Sequence, residues 1–490
     1  MMSQFRRAMI AQYHTRRLRW GAMVLLLIAA SSTAHAQAVV TAASIPTTPS
    51  SVGGVVAPAQ PTPLGLGQAY EAALVRDATL RAARAQSQGV AERLVQAQAQ
   101  LHPNVSLTVS RFHNDLASTQ SNALGQPITK HDNYYSYGQT LQLRQPLYRP
   151  VLSLGIDQAR AQIGDAEFVL EREVQNLGVR VVEAYLQVLL AQEKEALLKV
   201  QYQFVGQQLT AARKRLEGGQ GIRTDIDEAQ ARLDMVQAQQ LEASQSRQTA
   251  LLQLQMLVQQ PVDGVASLVS GTLHPAAFDA HTVQFWMDKA EVRSPELMAL
   301  RARVEAARYE VQRTQSAHKP TLDAIVQISR SGSENVTSPQ SGYVNRQIGL
   351  QLNLPLYAGG AVQSSVRQAL AEQARQEETL ESVRRDLHVR VQKEWRGVTE
   401  GVLRIAALER AVVSAQRVVV SVRRSFEGGI RTVLDVLNAE QQAQQAQRDL
   451  AEARLTYVAS RLRLLALVGE LDGESIRAAD SWFASTSTTQ

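Results

Sequence analysis

The chain has 490 residues, no cysteine, and 51 basic against 45 acidic side chains. A disulfide framework, a thiolate metal site and a lipid-bearing cysteine are therefore excluded. Five of the arginines lie at the N-terminus, and 51 − 5 leaves 46 basic against 45 acidic residues, a net charge of +1 that gives no support to a nucleic-acid-binding role.

Residues 1–36 have the order of a secretory signal. Arg6, Arg7, Arg16, Arg17 and Arg19 precede the apolar run GAMVLLLIAA and then AHA, so cleavage is expected after Ala36 and the mature chain leaves the cytoplasm. Residues 37–63, rich in Pro, Ser, Thr and Gly, read as a disordered leader. Beyond the signal no apolar run reaches the roughly 20 residues of a membrane-spanning helix. Any membrane entry is then by strands.

From residue 64 onward, segments rich in Ala, Gln, Leu, Val and Arg carry apolar residues at helical spacing, over 64–100, 151–217, 222–259, 294–318, 358–427 and 432–468. At 1.5 Å per residue, 151–217 and 358–427 would each be on the order of 100 Å long. The shorter segments sum in pairs to one long helix, so two short helices stacked end to end can run beside each long one. The expectation is an elongated helical barrel or rod.

Four segments between the helices have period two: about 103–113, 134–147, 321–330 and 343–355. In the last, Ile348, Leu350, Leu352 and Leu354 alternate with Gln347, Gly349, Gln351 and Asn353, giving one apolar and one polar face. Pro103, Pro146, Pro320 and Pro355 mark the helix–strand turns, because proline fixes φ and cannot donate to a ladder. The segments 114–133 and 332–342 read as polar hairpin loops. Tyr134, Tyr135, Tyr137 and Tyr343 near their ends, with Tyr148 and Tyr357 past the prolines, suggest aromatic belts. Period two alone also describes a soluble sheet with one solvated face. In lipid, four strands leave open edges, and about eight is the smallest barrel, so the chain must oligomerise; two copies give eight strands and three give twelve.

The chain is duplicated. RKRLEGGQGIRTDIDEAQAR aligns without gaps on RRSFEGGIRTVLDVLNAEQQ, placing Gly218 on Gly428 and Asp225 on Asp435. The first repeat spans 64–261, the second 294–470, with 262–293 as an equatorial connection and 471–490 as a flexible tail. Gly218, Gly219, Gly428 and Gly429 suit helix C-termini. Thr432 with Asp435, and Thr224 with Asp227, fit an N-terminal capping pattern.

The signal, the duplicated helix–strand–strand–helix units, the PLY turns and GGIRTVLDVLNAEQQ resemble the TolC family of outer-membrane efflux and type I secretion channels over residues 64–470. The resemblance implies an α+β membrane protein in which four strands per chain join a trimeric, twelve-stranded transmembrane β-barrel set on a long α-helical barrel. It also implies a passive exit duct opened by partners: a periplasmic adaptor (membrane fusion) protein and an inner-membrane ABC or proton-driven RND transporter. No cofactor is implied. The Gly-Gly turns would be the periplasmic tips. Carried over by position, Asp225 and Arg431 fall on a polar gate network, and Phe426 falls where the family can have a tyrosine whose hydroxyl a phenyl ring lacks. Asp435 and Asn438 fall on the two acidic positions of the constriction, and only the first is acidic. A periplasmic coiled-coil adaptor or scaffold without a pore is the alternative, though it should lack amphipathic strand pairs. A secreted enzyme is disfavoured: His102, His113, His131, His274, His281, His318 and His388 show no HxxxH or HExxH spacing, and no phosphate loop or serine elbow is present.

Overall fold

The computed structural model describes residues 63–122, 124–219, 221–268, 281–333 and 341–484, so the expected signal and nearly all of the leader lie outside the described residues. In chain order the elements are α1 (Leu66–Arg76), α2 (Ala78–Ala99), β1 (Asn104–Ser121), β2 (Pro127–Tyr148), α3 (Pro150–Glu217), α4 (Arg223–Val258) and β3 (Ser267–Leu268). They continue with α5 (Val283–Arg293), α6 (Pro295–Gln315), β4 (Thr321–Ser333), β5 (Ser341–Asn353), α7 (Ala361–Glu427), α8 (Val433–Leu467), α9 (Gly473–Asp480) and β6 (Phe483–Ala484). The two long helices, α3 and α7, have 68 and 67 residues, which at 1.5 Å rise is about 100 Å each. The segment 64–100 is two helices, because Asp77 leaves helical geometry and caps α2, its carboxylate accepting from the Leu80 N–H at 2.8 Å.

One lateral order runs through the molecule. Near the sheet the helices pack as α2–α3–α6–α7, and the four strands that continue them pair as β1–β2–β4–β5. Beyond the middle of α3 and α7 the order is α4–α3–α8–α7, since α4 and α8 take the places alongside the long helices that α2 and α6 hold above. Each long helix thus has two short partners end to end.

All pairings in the four-stranded sheet are antiparallel, and the register separates its faces. Val105, Leu143, Val326 and Ile348 form one row across the strands, and Ser106, Gln142, Gln327 and Gln347 form the next. Directly paired residues point to the same face and successive residues to opposite faces, so across these rows one side of the sheet is apolar and the other polar, while Arg111, Arg330 and Arg346 stand on the first side farther toward the hairpin ends. Gln347 Nε2 donates to Gln327 Oε1 at 3.0 Å along the polar row. The same parity places Tyr135 and Tyr137 with Leu141 on the apolar face, but Tyr134 and Tyr343 on the polar one. The expected belt of four tyrosines is split between the faces.

Three sequence expectations are corrected here. The segment 114–133 is mostly sheet: β1 runs to Ser121 and β2 starts at Pro127, because polar residues such as Thr119 and Thr129 pair as well in a ladder as apolar ones, their hydroxyls 2.9 Å apart. Asn122 closes the short turn by accepting from the Leu124 and Gln126 N–H groups. The other hairpin loop lies largely outside the described residues. Secondly, Pro103 and Pro320 directly precede β1 and β4, whereas Pro146 lies within β2 at its register shift, and Pro355 follows β5, before the left-handed Gly359 and Gly360 that lead into α7. The turn after β2 is made at Arg149 and Pro150, where Asp323, 2% exposed, accepts from both Arg144 and Arg149 at 2.6–3.0 Å. A buried carboxylate needs such partners.

The third correction concerns the tail, which is ordered to Ala484. Leu471, Ile476, Ala479 and Phe483 enter the main core with Leu66, Tyr70, Leu177, Tyr185, Leu254 and Tyr457. Gly178 in α3 allows this approach: a Cβ there would lie 2.6 Å from Leu471 Cδ2. Asp480 accepts from the Leu66 N–H at 2.8 Å, satisfying one orphan donor at the start of α1, and β6 pairs with β3. Apolar residues at 471, 476, 479 and 483 lie in a short segment whose charged neighbours hide the pattern. The 262–293 connection likewise contains α5, capped by Thr282.

Candidate functional site

The repeated turns end two helical hairpins, α3/α4 and α7/α8. In each, the first glycine caps the long helix and the second takes a left-handed conformation, φ 71° at Gly219 and 78° at Gly429. Glycine adopts this region without the Cβ penalty that other residues carry. The helix that follows starts differently in the two repeats. At α8, Thr432 Oγ1 accepts from the Asp435 N–H at 3.2 Å and the Asp435 carboxylate accepts from the Thr432 N–H at 3.0 Å, a full capping box. At α4 the cap position is Ile222, which has no side-chain acceptor, and Thr224 lies inside the helix. The capping pattern expected at Thr224 and Asp227 is absent; Asp227 pairs with Arg223 at 3.7 Å instead.

Within the protomer the two expected gate residues are not brought together. Arg431 Nη1, just before the cap of α8, lies 3.7 Å from Asp435 Oδ1 in the first turn of that helix, and Asp225 sits in the first turn of α4, its N–H bonded to the Ile222 carbonyl. Among the described residues no ion pair or side-chain hydrogen bond joins Asp225 to Arg431. The Asp435 carboxyl is held below the usual carboxylate range, chiefly by the Thr432 N–H, then by the Thr432 hydroxyl and by Arg431.

Other side chains cross between the hairpins. Phe426 packs with Phe204, Val205, Leu233, Val433 and Leu437, and the Arg215 guanidinium lies over its ring, 4.3 Å from the centroid. Arg423 lies over Phe204 at 5.5 Å and pairs with Glu440 at 2.7 Å. Arg232 of α4 donates through Nη1 to Gln441 Oε1 at 2.7 Å and through Nη2 to Asn438 Oδ1. Sequence reasoning missed Arg215, Arg232 and Arg423. A signal existed for one: Arg232 follows Asp225 by seven residues, two helical turns, and so shares its face.

A sheet with one apolar and one polar face, carried on helical hairpins of this length, defines the subunit of an outer-membrane channel-tunnel. The family model described as "Outer membrane efflux protein" matches residues 69–258 and 286–470. The chain belongs to that family, whose members are channel proteins of tripartite efflux and secretion systems, not enzymes. It is 31% identical to the Proteases secretion protein PrtF of Dickeya chrysanthemi over 426 residues, 86% of this chain and 92% of the relative. It is 32% identical to the Alkaline protease secretion protein AprF of Pseudomonas aeruginosa over 436 residues, covering 87% and 88%. The fold is similar to the crystal structure of the outer membrane protein VceC of Vibrio cholerae, with TM-score 0.68 and 21% identity over 83% of this chain and 97% of that one. The protein is thus located in the outer membrane of a Gram-negative cell and extends into the periplasm.

Proposed function

We propose that three copies of the chain form a passive exit duct, opened at its periplasmic end by a periplasmic adaptor and powered by an inner-membrane ABC or RND transporter. The observation that carries this reading is the sheet: one face carries an apolar band centred on the Val105, Leu143, Val326 and Ile348 row, the opposite row is polar, and among the described residues its outer strands β1 and β5 each keep an unpaired edge. In lipid those edges must pair, and pairing β5 of one copy with β1 of the next closes a twelve-stranded barrel around a polar lumen. The pore-less scaffold alternative leaves an apolar strand face without a purpose. As for cargo, the two relatives named for protease secretion favour export of protein through an ABC-type system.

In this reading the hairpin tips are the entrance, and Asp435 from three copies forms an acidic ring. Three like charges in a narrow mouth attract cations and give trivalent ions a site. The test is purification from outer-membrane fractions in detergent followed by planar-bilayer recording. Heat-modifiable trimers with cation-selective conductance, blocked from the periplasmic side by a hexammine trication, are expected. Asp435→Asn should lose selectivity and block yet still assemble, since Asn caps a helix well. A detergent-independent soluble protein with no conductance would refute the duct, and wild-type block in Asp435→Asn would refute the ring.

A further inference from the structure

We infer that the lipid-facing side of each protomer carries a site for a bisphosphorylated glycolipid of the outer leaflet, built by Arg111, Arg330 and Arg346 around Tyr137. The inference rests on the reading of the sheet as one third of an outer-membrane barrel. On three of the four strands the apolar run of that side ends at an arginine. Val105, Leu107 and Val109 lead to Arg111 on β1; Leu322, Ala324, Val326 and Ile328 lead to Arg330 on β4; Leu352, Leu350 and Ile348 lead to Arg346 on β5. The remaining strand, β2, passes from Leu143 and Leu141 to Gln139, Tyr137 and Tyr135. From Leu322 to Arg330 a strand advances about 27 Å, which is roughly 20 Å of height at the usual barrel tilt. The arginines therefore stand where the apolar band of a barrel gives way to headgroups, on the hairpin side, away from the periplasmic helices.

That side is already the convex one in the single protomer. On β2, Tyr135, Tyr137, Gln139 and Leu141 are exposed, while Tyr134, Ser136, Gly138 and Thr140 of the opposite side are half-buried. The three arginines are exposed, and among the described residues none of them pairs with a carboxylate. In the described part of the sheet, the acidic residue of the same side is Asp115, about 14 Å along β1 from Arg111. Positive charges at the edge of an apolar band need a counter-charge or hydrogen-bond acceptors, and lipid is what surrounds this edge.

The register sets the spacing. Arg330 pairs directly with Val344, so Arg346 is its diagonal neighbour at about 7–8 Å, near enough for both guanidinium forks to meet one phosphate. Arg111 lies two strands and one row from Arg330, roughly 12 Å away, about the span of a disaccharide with a phosphate at each end. Tyr137 keeps the ground between them flat: its ring occupies the place that a Cβ of Gly332 would take, and its hydroxyl is 4.0 Å from the place of one at Gly342. Arg111 is held over the Tyr135 ring, 5.1 Å from its centroid, which leaves its N–H edges open. A sugar pair can rest on the tyrosine with a phosphate on either side, and its acyl chains then follow the apolar runs below. A phospholipid offers a single phosphate and satisfies one end of the cluster only.

The experiment uses wild-type trimers purified in detergent and stripped of lipid. They are titrated with bisphosphorylated lipid A, with the same lipid after phosphate removal, and with phosphatidylglycerol; bound lipid is counted by native mass spectrometry, and heat-modifiable migration confirms assembly of each variant. Lipid A should bind at one molecule per protomer and in preference to both other lipids. Arg330→Gln should weaken that binding roughly fivefold, and replacing all three arginines by Gln should abolish the preference. Replacing all three by Lys, which keeps the charge but loses the forks, should be intermediate. Undiminished lipid A binding in an assembled triple-Gln variant overturns the site. So does equal binding of the dephosphorylated lipid, since acyl contact would then suffice, or of phosphatidylglycerol, since one phosphate would. Should the triple variant not assemble, Arg330→Gln and the three lipids on the wild type decide the matter. A wild-type protein that forms no trimer in outer-membrane fractions refutes the duct and the site together; trimers without a preference for lipid A refute the site alone.

Discussion

At the residue scale, Asp435 caps the start of α8, and in the proposed duct the same carboxylate would also line the entrance. Its side chain is fixed by the Thr432 N–H and hydroxyl and stays partly exposed. Because its folded pKa lies below the ordinary value, the capping contribution is complete above the ordinary carboxylate range and is lost as pH falls through the lowered value. The ionised form needed for cation attraction persists over the same range. Thr432→Val removes the hydroxyl donor but keeps the backbone N–H, so the loss should move to higher pH. Reversal potentials across a pH series will check this: the midpoint at which cation selectivity disappears is expected to rise in Thr432→Val. An unmoved midpoint would mean that selectivity is set by another group.

At the element scale, α9 ties the end of the repeated region to its beginning. Its own start is capped by Asp472, which accepts from the Ser475 N–H at 2.8 Å, and its end reaches the first turn of α1 through Asp480. Ile476 is fully buried against the main core. Ile476→Ala should therefore destabilise the folded unit by about 2–5 kcal/mol, read as a lower thermal transition of the detergent-solubilised protein. Glu474→Ala, at an exposed position of the same helix, should stay within about 0.5 kcal/mol. Equal effects from the two would mean that α9 does not pack as described. In the sequence, this helix was hidden by its brevity: eight residues give too few turns for periodicity to register. The long helices, by contrast, were bounded to within a few residues, as were the starts of β1 and β4.

At the scale of the whole molecule, the two faces of the sheet determine where it can reside. Leu352 lies in a row with Leu322 on the apolar side, 66% exposed in the single protomer, and Gln351 lies opposite Asp323 on the polar side. In the proposed barrel, Leu352→Arg puts a charge in lipid at a cost of about 2–4 kcal/mol near the midplane. Gln351→Arg puts the same charge toward the lumen, beside a carboxylate. The yield of heat-modifiable trimer in outer-membrane fractions should fall for the first and hold for the second. The reverse order would show that the faces are assigned the wrong way round, and equal yields that neither meets lipid.

The sequence by itself determined what depends on near neighbours: helix and strand, their alternating order, the duplicated turns and the apolar face of each strand. Those features follow from periods of 3.6 and 2 and from the backbone preferences of Gly and Pro, all of which act over a few residues. Its tip residues were found by position in the repeat, and there Asp435 and the glycines have local jobs that the geometry makes explicit. Only the tertiary structure decided that Arg232 meets Asn438, that Phe426 faces Arg215, that Asp323 holds two arginines and that residues 471–484 enter the core. Such contacts join residues 206 and even 414 positions apart in the chain. They depend on the lateral order of the helices and on how far each hairpin extends beside the other, which no local period encodes.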